Sequence, residues 1–132
     1  MQIHQSAEDY LETILMLSQR MGKVRSIDVV NELGFTKASV SIAMKKLREN
    51  GYIAVDGEGN LTLLEPGLEI AQRIYSRHQL LTHFFVQLGV DEQTAAEDAC
   101  KAEHILSEQT LEKIREYALL HDAESTVSYT HL

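Results

Sequence analysis

The stretch "SIDVVNELGFTKASVSIAMKKLRENGYIAVDGEGNLTLLE", residues 26–65, constrains the fold of this chain more than any other. Its first part reads as two short helices split at Gly34, with Ser26 and Thr36 as N-caps and Gly51 as the C-terminal stop. Val29, Val30 and Leu33 give the first helix a packing face, and Val40, Ala43, Met44 and Leu47 give the second one. Lys37, Ser39, Ser41, Lys45 and Lys46 then fall largely on other faces, which is helix-turn-helix grammar. Two short β-rich runs follow, joined by "DGEGN", in which Gly57 and Gly59 supply the positive φ of a hairpin. A hairpin directly after a recognition helix is a wing, so residues 1–65 are expected to form a winged helix-turn-helix. The bland alternative is a three-helix bundle that binds protein.

The flanking segments are helical. In "SAEDYLETILMLSQR" the apolar positions Leu11, Ile14, Leu15 and Leu17 predict a helix from about Ala7 to Arg20, with Ser6 as N-cap and Asp9 in a capping box. Pro66 suits the first turn of a long helix, "PGLEIAQRIYSRHQLLTHFFVQLG", whose apolar residues Leu68, Ile70, Ala71, Ile74, Leu81, Phe84, Phe85 and Leu88 form more than one stripe. One stripe serves a core and leaves another for a partner. Two more helices follow, capped at Asp91 and Ser107. A reader head alone has little use for them, so residues 66–126 are expected to form a dimerisation domain that supplies two-fold symmetry for half-site reading. The fold class is mainly α. The final "VSYTHL", Val127–Leu132, follows no pattern set by the preceding helix and matches one reading frame of a common sequencing-adapter transposon end. It is expected to be a non-native tail.

Charge separates the two parts. The formal charge is −8 over 132 residues, with seven Lys+Arg and nine Asp+Glu in residues 1–66 against five and eleven in residues 67–132. Within Gly34–Asn50, Lys37, Lys45, Lys46 and Arg48 face Glu49 alone, a local patch fit to meet phosphates. Thr36, Lys37, Ser39 and Ser41 are placed to reach base edges or phosphates, and Lys45 and Lys46 suit phosphate contact. A wing bearing Asp56 and Glu58 is a poor phosphate binder. The chain has neither an apolar run long enough to span a bilayer nor a signal-peptide start, so a cytoplasmic protein without membrane contact is expected.

The string "CKAEHILS" places Cys100, the one cysteine of the chain, with Glu103 and His104 at i, i+3 and i+4. Asp9 and Glu12 lie i, i+3 on the first helix, and His78 sits amid apolar residues of the long one. Three helices thus each offer ligand-type side chains that could converge on a metal ion. Each fragment has a bland reading: Asp9 and Glu12 as a capping carboxylate and a solvated face, His78 as a buried histidine donating to a carbonyl, Cys100 as a small buried hydrophobe.

"SAEDYLETILML", "RHQLLTHFFVQLGVDEQTA" and "DACKAEHILSEQTLEKI" resemble, in order and spacing, the metal-dependent repressors of the diphtheria toxin repressor and manganese transport regulator family, over about Gln5–Asp122. The resemblance implies a homodimeric repressor that binds a divalent first-row metal between its DNA-binding and dimerisation domains, in a short form lacking a C-terminal SH3-like domain. By position, Asp9, Glu12, His78, Glu103 and His104 match ligands of the manganese-type members. Cys100 stands where those members place a glutamate and iron-responsive members a cysteine, the latter with a methionine in place of Asp9. Thr82 and Ala96 occupy positions where the iron type's ancillary site has a Glu and a His. The chain is a hybrid of the two patterns. A thiolate among imidazoles and carboxylates softens the site, which favours Fe(II), with Mn(II) next and Zn(II) or Co(II) able to bind in vitro.

The expected function is therefore metal-dependent repression at a palindromic operator in metal-ion homeostasis, without enzymatic activity. A winged-helix regulator that is metal-independent or senses a small organic ligand is the alternative. A metallohydrolase using His78, Glu103 and His104 is more remote, because no nucleophile elbow, Gly-rich phosphate loop or HExxH motif is present.

Overall fold

The structure, a computed structural model, describes residues 5–122. The tail expectation for Val127–Leu132 lies outside the described residues. The elements run α1 (Gln5–Met21), β1 (Val24–Arg25), α2 (Ser26–Leu33), α3 (Lys37–Glu49), β2 (Ile53–Val55), β3 (Asn60–Leu63), α4 (Glu65–Gln87), α5 (Glu92–Ala102) and α6 (Glu108–Asp122). The mainly α class and the winged helix-turn-helix order are as expected. Packing divides the chain into two compact units, one running to Arg73 and the other from Ile74.

The N-terminal unit buries Leu11, Ile14, Leu17, Val24, Val29, Val40, Met44, Leu47, Ile53 and Leu61. Each such aliphatic chain contributes about 1.5–3 kcal/mol relative to exposure. Thr36 caps α3 as the sequence predicts: its Oγ1 accepts the Ser39 N–H at 3.1 Å. The first two caps differ. Among the described residues α1 already includes Gln5, so Ser6 lies inside its first turn rather than at the N-cap. Arg25, in extended conformation at φ −121°, caps α2 in place of Ser26, and its amide donates to Asp28 Oδ2 at 2.9 Å. The reason is β1, which the sequence reading missed. Val24 and Arg25 pair antiparallel with Leu61 and Asn60, holding Arg25 in the extended region and pushing the helix start one residue on.

The sheet has the order β1-β3-β2, with β2 and β3 forming the wing hairpin. At its tip only Gly59, not Gly57, adopts positive φ, at +86°. Asp56 closes the turn by accepting the Glu58 and Asn60 amides at Oδ1, both at 2.9 Å, so a single left-handed residue suffices. The Arg25 guanidinium donates to the Glu58 carbonyl and lies 3.3 Å from where a Gly59 Cβ would stand, bracing the wing from β1. Pro66, second in α4, needs no intrahelical amide partner there. A Cβ on Gly67 would sit 2.2 Å from the Tyr52 carbonyl oxygen, which makes glycine the residue that admits this close approach.

The C-terminal unit packs Leu80, Leu81, Ala99, Leu111 and Ala118 together, with Phe85, Ala102, Leu106 and Ile114 against them. Asp91 caps α5 through the Thr94 amide at 3.0 Å, and Ser107 caps α6 through the Thr110 amide at 3.1 Å, both as the sequence predicts. Leu88, counted above on the long helix, lies past its end and is exposed. No helix among the described residues is long and apolar enough to cross a membrane.

Candidate metal centre and nucleic-acid interface

The Asp91 cap fixes the register of α5, which sets Cys100 one turn before Glu103. The helix ends at Ala102, and Glu103 is its C-cap in right-handed helical conformation, its amide donating to the Ala99 carbonyl at 2.9 Å. Glu103 thus continues the face that carries Cys100, whereas His104 already lies in the turn towards α6. This corrects the reading of Glu103 and His104 as residues of one helix.

The turn nevertheless brings the two together with His78. Glu103 is fully buried; its Oε2 lies 3.0 Å from His78 Nδ1 and its Oε1 3.5 Å from His104 Nε2. A carboxylate withdrawn from water costs several kcal/mol unless opposite charge or hydrogen bonds compensate. Here an imidazole faces each oxygen. Imidazole nitrogen and carboxylate oxygen are the donors that first-row divalent ions take, so this donor set fits such an ion.

Cys100 is exposed, which removes its reading as a buried apolar residue. On α1, Asp9 is half-buried and Glu12 is buried, so Glu12 is no solvated surface carboxylate. Burial and the neighbouring Asp9 charge push the Tyr10 hydroxyl above the usual tyrosine range. Asp9 and Glu12 belong to the N-terminal unit, and His78, Cys100, Glu103 and His104 to the other. Thr82, at the position where the iron-type pattern has a glutamate, buries its hydroxyl without a hydrogen-bond partner among the described residues. Sequence reasoning missed two arginines: Arg25 under the wing and Arg77 beside His78. Their adjacency to recognised residues is the only sequence signal they carry.

On α3, Thr36, Lys37, Ser39, Ser41, Lys45 and Lys46 are all exposed. The Thr36 and Ser39 hydroxyls hydrogen-bond each other at 2.9 Å, so both serve the cap. Lys45 Nζ stands 4.0 Å from Glu49 with both side chains in solvent, a pair worth at most about 0.5 kcal/mol and readily given up to a phosphate.

Residues 2–61 match the family described as "Iron dependent repressor, N-terminal DNA binding domain", and residues 64–120 match "Iron dependent repressor, metal binding and dimerisation domain". An HTH-type transcriptional regulator of Methanocaldococcus jannaschii is 37% identical over 113 residues, covering 84% of this chain and 90% of that protein. The transcriptional regulator MntR of Escherichia coli O6:H1 is 32% identical over 117 residues, covering 89% of this chain and 76% of its own length. Among solved structures, a manganese-dependent transcriptional repressor in complex with manganese aligns with TM-score 0.77 at 28% identity, over 85% of this chain and 52% of that one. The chain thus spans about half the length of that solved structure. Two family matches that together take in most of the sequence, on a winged helix-turn-helix followed by a helical unit in which two histidines flank a buried glutamate, place this chain in the iron-dependent repressor family, that of the diphtheria toxin repressor and the manganese transport regulator.

Proposed function

We propose that this chain is a divalent-metal-dependent transcriptional repressor in metal-ion homeostasis, acting as a cytoplasmic homodimer on a palindromic operator and not as an enzyme. The observation that carries the reading is the buried Glu103 carboxylate with His78 and His104 at its two oxygens. Asp9, Glu12, His78, Cys100, Glu103 and His104 are the proposed ligands. Fe(II) is favoured, Mn(II) comes next, and Zn(II) or Co(II) can bind in vitro. The bound ion supplies positive charge that offsets the carboxylates and the thiolate. In its absence Asp9, Glu12, Cys100 and Glu103 must either repel one another or take up protons.

Because ligands come from both units, ion binding and the DNA-competent arrangement are thermodynamically linked, with a coupling of about 1–3 kcal/mol, and DNA must in turn tighten metal binding. Thr36, Lys37, Ser39, Ser41, Lys45 and Lys46 form the proposed DNA surface, in which the capping hydroxyls of Thr36 and Ser39 orient the helix start and the lysines meet phosphates.

The test is operator binding by purified protein under anaerobic conditions, titrated separately with Fe(II), Mn(II) and Zn(II). Glu103→Ala with His104→Ala is expected to leave a folded dimer by sedimentation but to abolish the metal response, with a loss larger than from removal of any surface carboxylate. Full metal response in the double variant, or operator binding by the parent that ignores metal, would overturn the proposal.

A further inference from the structure

Arg77 and His78 are neighbours on α4 and converge on one residue: Arg77 Nη1 donates to the Glu103 carbonyl at 3.2 Å, while His78 meets Glu103 Oε2 at 3.0 Å. The second Arg77 nitrogen pairs with the Glu108 carboxylate in the first turn of α6. One guanidinium therefore spans the end of α5 and the start of α6, across the connection that carries Glu103 and His104. We propose that Arg77 is a positioning residue for the metal centre, fixing the backbone of Glu103 while His78 fixes its side chain. The inference rests on the metal-centre reading above.

Two contacts compete for the credit, and their surroundings decide between them. The Arg77 side chain is 14% exposed and that of Glu108 is 79% exposed. An ion pair with a solvent-bathed carboxylate is screened and contributes little. The Glu103 carbonyl, by contrast, belongs to the last turn of α5, whose final carbonyls have no partner within the helix, and a cation there complements the negative end of the helix dipole. The weight of Arg77 thus falls on the carbonyl and through it on the aim of a buried ligand. A lysine ammonium is a point donor on a flexible stem without the planar fork, so it does not hold the Glu103 carbonyl in the geometry the guanidinium fixes.

The full chain carries the test, in the variants Arg77→Gln, Arg77→Lys and Glu108→Gln. Co(II) affinity and the cobalt d–d spectrum are measured anaerobically, and amide hydrogen exchange is measured on metal-free protein. Arg77→Gln is expected to weaken Co(II) binding by about ten-fold or more, as loss of a ligand-orienting contact does. It is also expected to shift the d–d bands and to speed exchange in residues 103–107 without speeding the middle of α4. Arg77→Lys should follow it, and Glu108→Gln should stay near the parent. Parent-like affinity and exchange in Arg77→Gln would overturn the proposal, as would equal damage from Glu108→Gln or acceleration spread evenly over the unit. If the parent itself binds no Co(II), the metal reading fails and exchange alone decides: localised acceleration at 103–107 upholds the bracing, and unchanged protection removes it.

Discussion

Cys100 sits one helical turn before Glu103 and is exposed, so its thiol is accessible to metal and to solvent. It is the one soft donor among hard ones, and metal choice is expected to turn on it. Cys100→Glu should shift preference towards Mn(II) in competition titrations while retaining dimer and DNA contact. Because the thiol must lose a proton to bind, affinity for Co(II) should fall with acidification more steeply in the parent than in the variant. A parent Co(II) complex lacking a near-ultraviolet thiolate charge-transfer band, with the same metal ranking in Cys100→Ala, would remove Cys100 from the site. Asp56 makes a second residue-scale prediction. The Asn60 side chain, then the Asn60 amide, holds its carboxyl below the ordinary range. A folded-state pKa lower than the unfolded one contributes stability above about pH 4, lost as the pH falls through the folded value. Acid titration followed by wing amide shifts should show the hairpin loosening only below the ordinary carboxylate range, and Asp56→Ala should abolish that dependence. The proposed ligands could be picked out in the sequence because ligand chemistry restricts them to His, Cys, Asp and Glu. The grip of Arg77 on Glu103 was not, because a contact between residues 26 apart leaves no local periodicity.

At the scale of elements, the caps divide along the same line. Thr36, Asp91 and Ser107 read correctly because each satisfies a helix start with its own side chain. Ser26 did not, because a two-residue strand is too short to alternate visibly, and its pairing with β3 lies more than thirty residues downstream. The lysines of α3 lead to an expected outcome on DNA: Lys45→Ala with Lys46→Ala should weaken binding across all sequences and flatten the salt dependence, a change of slope measurable by fluorescence anisotropy. At the start of α4, Gly67→Ala sets a methyl against the Tyr52 carbonyl, a rigid backbone atom. Destabilisation of about 1–3 kcal/mol is expected in denaturant titration, comparable to other overpacked sites. Parent stability would mean that the helix start can move.

For the whole molecule, mass action gives the simplest check on metal binding. An ion that binds the folded chain alone adds about 2.7 kcal/mol to unfolding at a hundred times its dissociation constant, so midpoints should rise with metal concentration in the parent and not in Glu103→Ala with His104→Ala. The change of packing from one unit to the other falls within α4, C-terminal to Pro66. Proline marks where a helix can begin, not where packing allegiance changes. The Arg25 brace under the wing bears on the entropy of DNA association. A loose hairpin would have to be immobilised on the duplex, forfeiting about 1–2 kcal/mol of backbone entropy per residue. Here the guanidinium bond to the Glu58 carbonyl makes that expenditure part of folding, before any operator is met. Preorganisation of this kind lowers the entropic cost of encounter, so Arg25→Ala should weaken operator binding through a less favourable entropy in calorimetry, although Arg25 itself need touch no nucleotide.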